Sequence, residues 1–140
     1  MAADLSPPTI GQSGRLALAA LAVIAAYVVT ARAGFAVAFV AEQVTTVWAP
    51  SGISLAALLL GGRRLWPAVW LGALLANTGT SAPLWTAVVI ATGNALEAVV
   101  AAALLKRDPA FDTALSRLRD ASRLIVIGAL VATTISATIG

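Results

Sequence analysis

The sequence predicts an all-α fold, a polytopic integral-membrane helical bundle of about five transmembrane helices. Two observations carry that reading. Of 140 residues, 60% are hydrophobic and only 11% charged, with a mean hydropathy of +0.94. Soluble domains lie near 45–50% apolar and about 25% charged, so a chain this poor in charge cannot cover its own surface in water. The second observation is punctuation: long apolar runs are broken only by proline, glycine or basic pairs. "VTTVWAPSGISLAALLLGGRRLWPAVW" (44–70) reads as two helices, with Pro50-Ser51-Gly52 opening the first and Arg63-Arg64 marking the turn.

Residues 1–14 hold Pro7, Pro8, Gly11 and Gly14 among small polar residues and read as a flexible cytoplasmic tail. Helix one is expected over 16–41. Its uninterrupted part, 16–31, is short for a core that needs about 20 residues, so the span continues through Arg32. Ala31-Arg32-Ala33 also imitates a signal-peptide cleavage site, but an arginine directly before the cut and a long, weakly charged leader argue against cleavage.

Helix two is expected over 48–62 and helix three over 65–78. Pro50 and Pro67 each fall in a first turn, where no backbone donor is lost. The stretch 78–83, Thr-Gly-Thr-Ser-Ala-Pro, is a polar turn, and helix four is expected over 84–105. Helix five is expected over 124–140, free of charge, with the chain stopping inside it. Between them, "KRDPAFDTALSRLRDASR" (106–123) puts Phe111, Ala114, Leu115, Leu118 and Ala121 on one face if helical. Arg117, Arg119, Asp120 and Arg123 fall largely off it. That pattern predicts an amphipathic cytoplasmic helix at the membrane surface, capped by Asp108-Pro109.

Orientation follows from the basic residues. A cytoplasmic N-terminus puts Arg15, Arg63, Arg64 and all of 106–123 inside, which is eight of the nine basic residues, and leaves only Arg32 within a helix. Cytoplasmic loops carry this excess of Lys and Arg. The same placement accounts for the net charge of +3 and the pI near 10.7 without nucleic acid, since no basic stripe is interleaved with exposed aromatics. The localisation expected is a bacterial inner membrane, multi-pass, with residues 42–46 and 78–83 outside.

With neither cysteine nor histidine, the chain has no disulfide and no Ser–His or Cys–His catalysis, and it lacks the usual ligands of zinc, haem and copper. No metal and no cofactor is expected. Ser51 lies in Pro-Ser-Gly and has no histidine to activate it, so no catalytic residue is assigned. Trp48, Trp66, Trp70 and Trp85 flank helix ends as an aromatic belt does. Thr133, Thr134, Ser136 and Thr138 can bond their own backbone.

Glu97 is the sharpest feature, since a carboxylate within a membrane helix is costly and marks either a function or a packing bond. Asn94 precedes it by one turn, and Gly93, Glu97 and Ala101 are spaced by four, so small residues flank the acid. Counting at ~1.5 Å per residue from the cytoplasmic ends puts Asn77 at about 18 Å, Asn94 and Ser51 at about 17 Å, and Glu97 at about 12 Å. Short connections make helices two, three and four neighbours on this reading. The candidate ligand-sensing or interhelical cluster is therefore Ser51, Asn77, Asn94 and Glu97, with Arg32. Arg32 either snorkels to the outer headgroups or serves as counter-ion to Glu42, Glu97 or an anionic ligand.

"VWAPSGISLAALLLGGRRLWPAVWLGALLAN" (47–77), "GNALEAVVAAALL" (93–105), "FDTALSRLRD" (111–120) and "SATIG" (136–140), in that order, resemble the type-one membrane-associated sensor domain, the MASE family. The resemblance covers nearly everything from Arg15 onward. It implies a bacterial membrane sensory input domain of typically eight helices. Such domains are usually fused on the cytoplasmic side to histidine kinase, diguanylate cyclase or cyclic di-GMP phosphodiesterase modules. On this count 15–140 is a partial copy that stops at about the fifth helix, with no output domain following. The partners expected are the lipid bilayer, a second copy or a separate signalling protein, and an unidentified small ligand. A small transporter or channel-like subunit using Glu97 and Asn94, and a nonfunctional truncated fragment, are the competing readings.

Overall fold

The computed structural model describes residues 11–41, 48–78 and 83–132, with Thr134 and Thr138. Every regular element among them is a helix: α1 (Gln12–Ala41), α2 (Ala49–Leu60), a 3-10 turn (Arg63–Leu65), α3 (Trp66–Asn77), α4 (Leu84–Leu105), α5 (Leu118–Arg123) and a π-helix (Leu124–Ala132). The expected outer loop at 42–46, most of the turn at 78–83, and Thr133 and Ser136 lie outside the described residues.

Local chemistry sets most helix ends. Pro50 and Pro67 both sit in first turns, where an amide hydrogen is not needed. α2 ends where the Gly61 N–H donates to Ala57 O at 2.8 Å and Gly62 turns the chain with φ +89°, a conformation that favours glycine. Leu65 N–H then bonds Gly62 O at 3.2 Å and leads into α3. α4 begins after Pro83 and ends where Lys106 N–H returns to Ala102 O at 3.1 Å. α1 starts at Gln12, so the last three residues of the flexible tail expected through Gly14 are already helical.

Four helices form a ring. α1 packs on α2 and α3, and α4 packs on the same two, so α1 faces α4 and α2 faces α3 across the diagonals. The expectation that helices two and three are side-by-side neighbours is thereby corrected: the short Arg63–Leu65 link crosses the end of the ring rather than joining adjacent members. The reason lies in the packing surfaces. α4 carries a ridge of Ala87, Ala91, Ala95, Ala98 and Ala102, and α3 presents Val69, Ala73 and Ala76, all buried. Small side chains of this kind let backbones approach closely in a membrane. Gly72 of α3 takes this furthest, since a Cβ there would lie 2.9 Å from the Tyr27 Cβ of α1.

The interior is thus alanine-rich while large apolar side chains point outward: Val29 is 66% exposed and Leu60 75%. Water would penalise that inversion, but lipid does not. Two helices, over 12–37 and 84–105, are long and apolar enough to cross a bilayer. α2 and α3 have 12 residues each, about 18 Å of helix, less than the ~30 Å of a hydrocarbon core.

The largest departure concerns 106–123. No amphipathic helix forms over that stretch; turns run to Arg117 and only Leu118–Arg123 is helical. Asp108 Oδ1 accepts the Ala110 N–H and Asp112 Oδ1 the Ala114 N–H, each at 2.9 Å, while Ser116 Oγ donates to Asp112 Oδ2 at 2.6 Å. Such bonds offer the backbone an alternative to helix, and Leu115 completes the turn at φ +54°. An Arg123–Asp108 ion pair ties the segment to the end of α5. Asp120, expected off the apolar face, is instead fully buried.

Candidate functional site

Tyr27 is the centre of the ring. It sits on α1 with 1% of its surface exposed, and its hydroxyl accepts a hydrogen bond from Asn94 Nδ2 of α4 at 2.8 Å. The phenol is long enough to cross the diagonal that separates these two helices. The Trp48 side chain hydrogen-bonds the same hydroxyl. Asn94 of α4 and Trp48 before α2 therefore meet at one oxygen of α1.

Glu97 is buried, at 6% exposure, on the α4 face that looks into the bundle. It lines a cavity of about 670 Å³ together with Trp48 and Ser51. The rest of the wall comes from α2, from Ala98 and Ala101 of α4, from the 111–115 turn and from the π-helix. The apolar residues Phe111 and Leu115, expected against the membrane surface, close this cavity instead. Trp48, read from the sequence as part of an aromatic belt, packs its ring against Phe35 at 5.1 Å between centroids.

Asn77 and Arg32 sit at the end of α3. Asn77 is buried and its Nδ2 donates to Ala73 O of its own helix at 2.8 Å. Arg32 Nη2 donates to Thr78 O at 3.5 Å, joining α1 to the end of α3. Asn94 thus reaches Tyr27, Ser51 joins Glu97 at the cavity wall, and Arg32 meets the end of α3 at Thr78. Trp70 Nε1 donates to Thr92 Oγ1 at 3.1 Å, a further α3–α4 bond.

Three polar residues escaped the sequence reading. Tyr27 had a usable signal, being the single tyrosine of the chain inside an apolar run; a buried phenol needs a partner. Ser54 is buried and satisfied by Pro50 O at 2.8 Å, so it is a helix-internal group. Asp120 has neither carboxylate oxygen hydrogen-bonded among the described residues, and its ion-pair contact is Arg119 at 3.7 Å. Lys106 Nζ donates to Leu58 O at 3.1 Å and ties the end of α4 to the last turn of α2. Among the described residues no group of three or more His, Cys, Asp or Glu gathers as metal ligands do.

The arrangement is a partly open, mostly apolar chamber with the Glu97 carboxylate and the Trp48 indole among the described residues of its wall. The family model MASE1 matches residues 18–140. No curated protein and no solved structure matches the chain.

Proposed function

The chain belongs to the MASE1 family and is a membrane sensory domain of the signalling class; from that premise we propose that it is the input module for a cytoplasmic histidine kinase or cyclic di-GMP enzyme, with its sensing site at the Glu97 cavity. The observation that carries this reading is Glu97 itself, a carboxylate 6% exposed in a membrane-length helix and lining a chamber of about 670 Å³. Burying an acid inside a membrane helix costs a few kcal/mol and is tolerated where it serves a site. The chamber touches α2, α4 and the π-helix, so an occupant that favours one spacing of these helices shifts their cytoplasmic ends. Ser51 and Asn94 border the same chemistry, with Asn77 and Arg32 bracing the outer end. The N-terminus is cytoplasmic on this reading, by the distribution of Lys and Arg.

The test is a hybrid in which this chain precedes a diguanylate cyclase module, with cyclic di-GMP measured in cells. Glu97→Leu is expected to insert as the parent does and to change output several-fold. Unchanged output from a normally inserted Glu97→Leu hybrid would defeat the reading. A transport role predicts solute flux in liposomes, whereas a sensory role predicts none.

A further inference from the structure

The bond between Lys106 and Leu58 gathers charges that the sequence keeps apart. Lys106 Nζ reaches Leu58 O across 48 residues of chain, so the end of α4 stands beside the last turn of α2. α2 closes at Leu60, and Gly61 and Gly62 lead directly into Arg63 and Arg64. From Leu58 to Arg63 the chain covers at most about 12 Å, one helical step followed by two residues of turn. Arg107 follows Lys106. Four basic residues from two connections therefore form one patch where α2 and α4 finish, and all four are exposed.

Lys106 has a structural task there, since Leu58 O is among the last carbonyls of α2 and lacks an intrahelical partner. An ammonium carries three donors, however, and this bond takes one. Among the described residues no carboxylate offsets the patch. The ion pairs are Arg119 with Asp120 and Arg123 with Asp108, so Asp108, next along from Arg107, is already engaged. The flanks are oily: Leu60 is exposed at the end of α2, and Trp66, half exposed, opens α3. Tryptophan beside cations marks the level where acyl chains meet headgroups.

This combination selects an anionic lipid. Basic clusters between membrane helices hold multiply charged lipid headgroups, and arginine forks fit phosphate oxygens. One phosphate satisfies one basic pair. A second phosphate on the same molecule meets the second pair at high effective concentration.

We propose that this patch binds a diphosphate phospholipid, two phosphatidyl groups on one glycerol, with one phosphate at Arg63 and Arg64, the other at Lys106 and Arg107, and acyl chains along Leu60 and Trp66. The proposal uses neither Glu97 nor the sensory reading, so each can fail without the other.

The experiment places the whole chain in phosphatidylcholine nanodiscs, which leave both membrane faces accessible. Diphosphatidylglycerol or phosphatidylglycerol is added at equal phosphate content, and lipid retained on the chain is counted by native mass spectrometry. One diphosphate lipid per chain is expected, held at least about tenfold more tightly than phosphatidylglycerol. Arg63→Gln and Lys106→Gln are each expected to weaken retention about fivefold. Glutamine at 106 keeps a donor for Leu58 O. Arg63 is exposed in a turn, so its variant folds even if the other does not. Arg117→Gln removes the same charge at an exposed position outside the patch and is expected to change nothing. Equal retention of phosphatidylglycerol would reduce the patch to diffuse charge and overturn the proposal, as would an equal loss from Arg117→Gln. Displacement of the lipid by inorganic pyrophosphate at the same concentration would assign the patch to a soluble diphosphate and likewise overturn it.

Discussion

Asn94 Nδ2 and the Tyr27 hydroxyl lie 2.8 Å apart although 67 residues separate them in the chain. The bond joins α1 to α4, which face each other across the ring without packing directly. Hydrogen bonds between membrane helices contribute about 0.6 kcal/mol on average and at most about 1.7. A double-mutant cycle with Tyr27→Phe and Asn94→Leu is expected to return a coupling in that range, measured by unfolding in bicelles. Strictly additive losses would mean that the bond contributes nothing.

Gly72 and Gly52 are expected to respond oppositely to the same change. At Gly72 an added methyl meets Tyr27 at 2.9 Å and the α1 backbone at Ile24 at 3.5 Å. Gly72→Ala then pushes α1 from α3 and costs about 1–3 kcal/mol. Gly52→Ala enters open space inside a helix, where alanine is favoured by roughly 0.5–1 kcal/mol. Thermal unfolding of the two variants checks the contrast, and equal shifts would contradict the packing.

Asp120 is fully buried, with neither carboxylate oxygen hydrogen-bonded among the described residues and Arg119, itself half exposed, 3.7 Å away. A buried ion pair of poor geometry is often no more stabilising than an apolar side chain of similar size. Asp120→Leu is expected to leave the melting temperature unchanged or raise it. A marked fall would mean that the carboxylate holds the α5 start in place.

Asp112 has a prescribed pH response. The Ser116 hydroxyl first, then the Ala114 N–H, stabilise its charged form and hold its pKa below the ordinary 3.8. A depressed carboxylate stabilises the folded turn above its unfolded pKa and loses that contribution as pH falls through the folded value. The 112–116 turn should therefore survive to pH values below the usual aspartate range. Ser116→Ala should move the Asp112 midpoint up towards 3.8, as read by NMR titration of its carboxyl carbon. An unmoved midpoint would remove Ser116 as the cause.

Topology has a direct test because the chain lacks cysteine. Single cysteines at Thr80 and Ser116 should label from opposite sides of the membrane, with Ser116 cytoplasmic. Labelling of both from outside would reverse the positive-inside argument.

Helix ends were legible where one residue's covalent chemistry decides them. Proline lacks an amide hydrogen, so Pro50 and Pro67 announce two helix starts from the sequence alone, whereas the turn, expected at Arg63-Arg64, begins one residue earlier at Gly62 with its positive φ. Glu97 was legible for a similar reason, since a charge inside an apolar run needs a partner wherever the run is buried. The 106–123 stretch misled because its apolar spacing is helical while its aspartates bond neighbouring amides. Periodicity records which side chains are oily and not which backbone donors a carboxylate captures first.

Composition and punctuation determined that the chain is a helical membrane domain, because both depend on free energies of transfer and on local dihedral freedom, which each residue carries with it. The tertiary structure alone decided that α2 faces α3 across a diagonal and that Tyr27 reaches Asn94. It also decided that Phe111 closes a chamber beneath Glu97. Those outcomes depend on how alanine ridges and one glycine let helix backbones approach, a property of paired surfaces that no single segment contains.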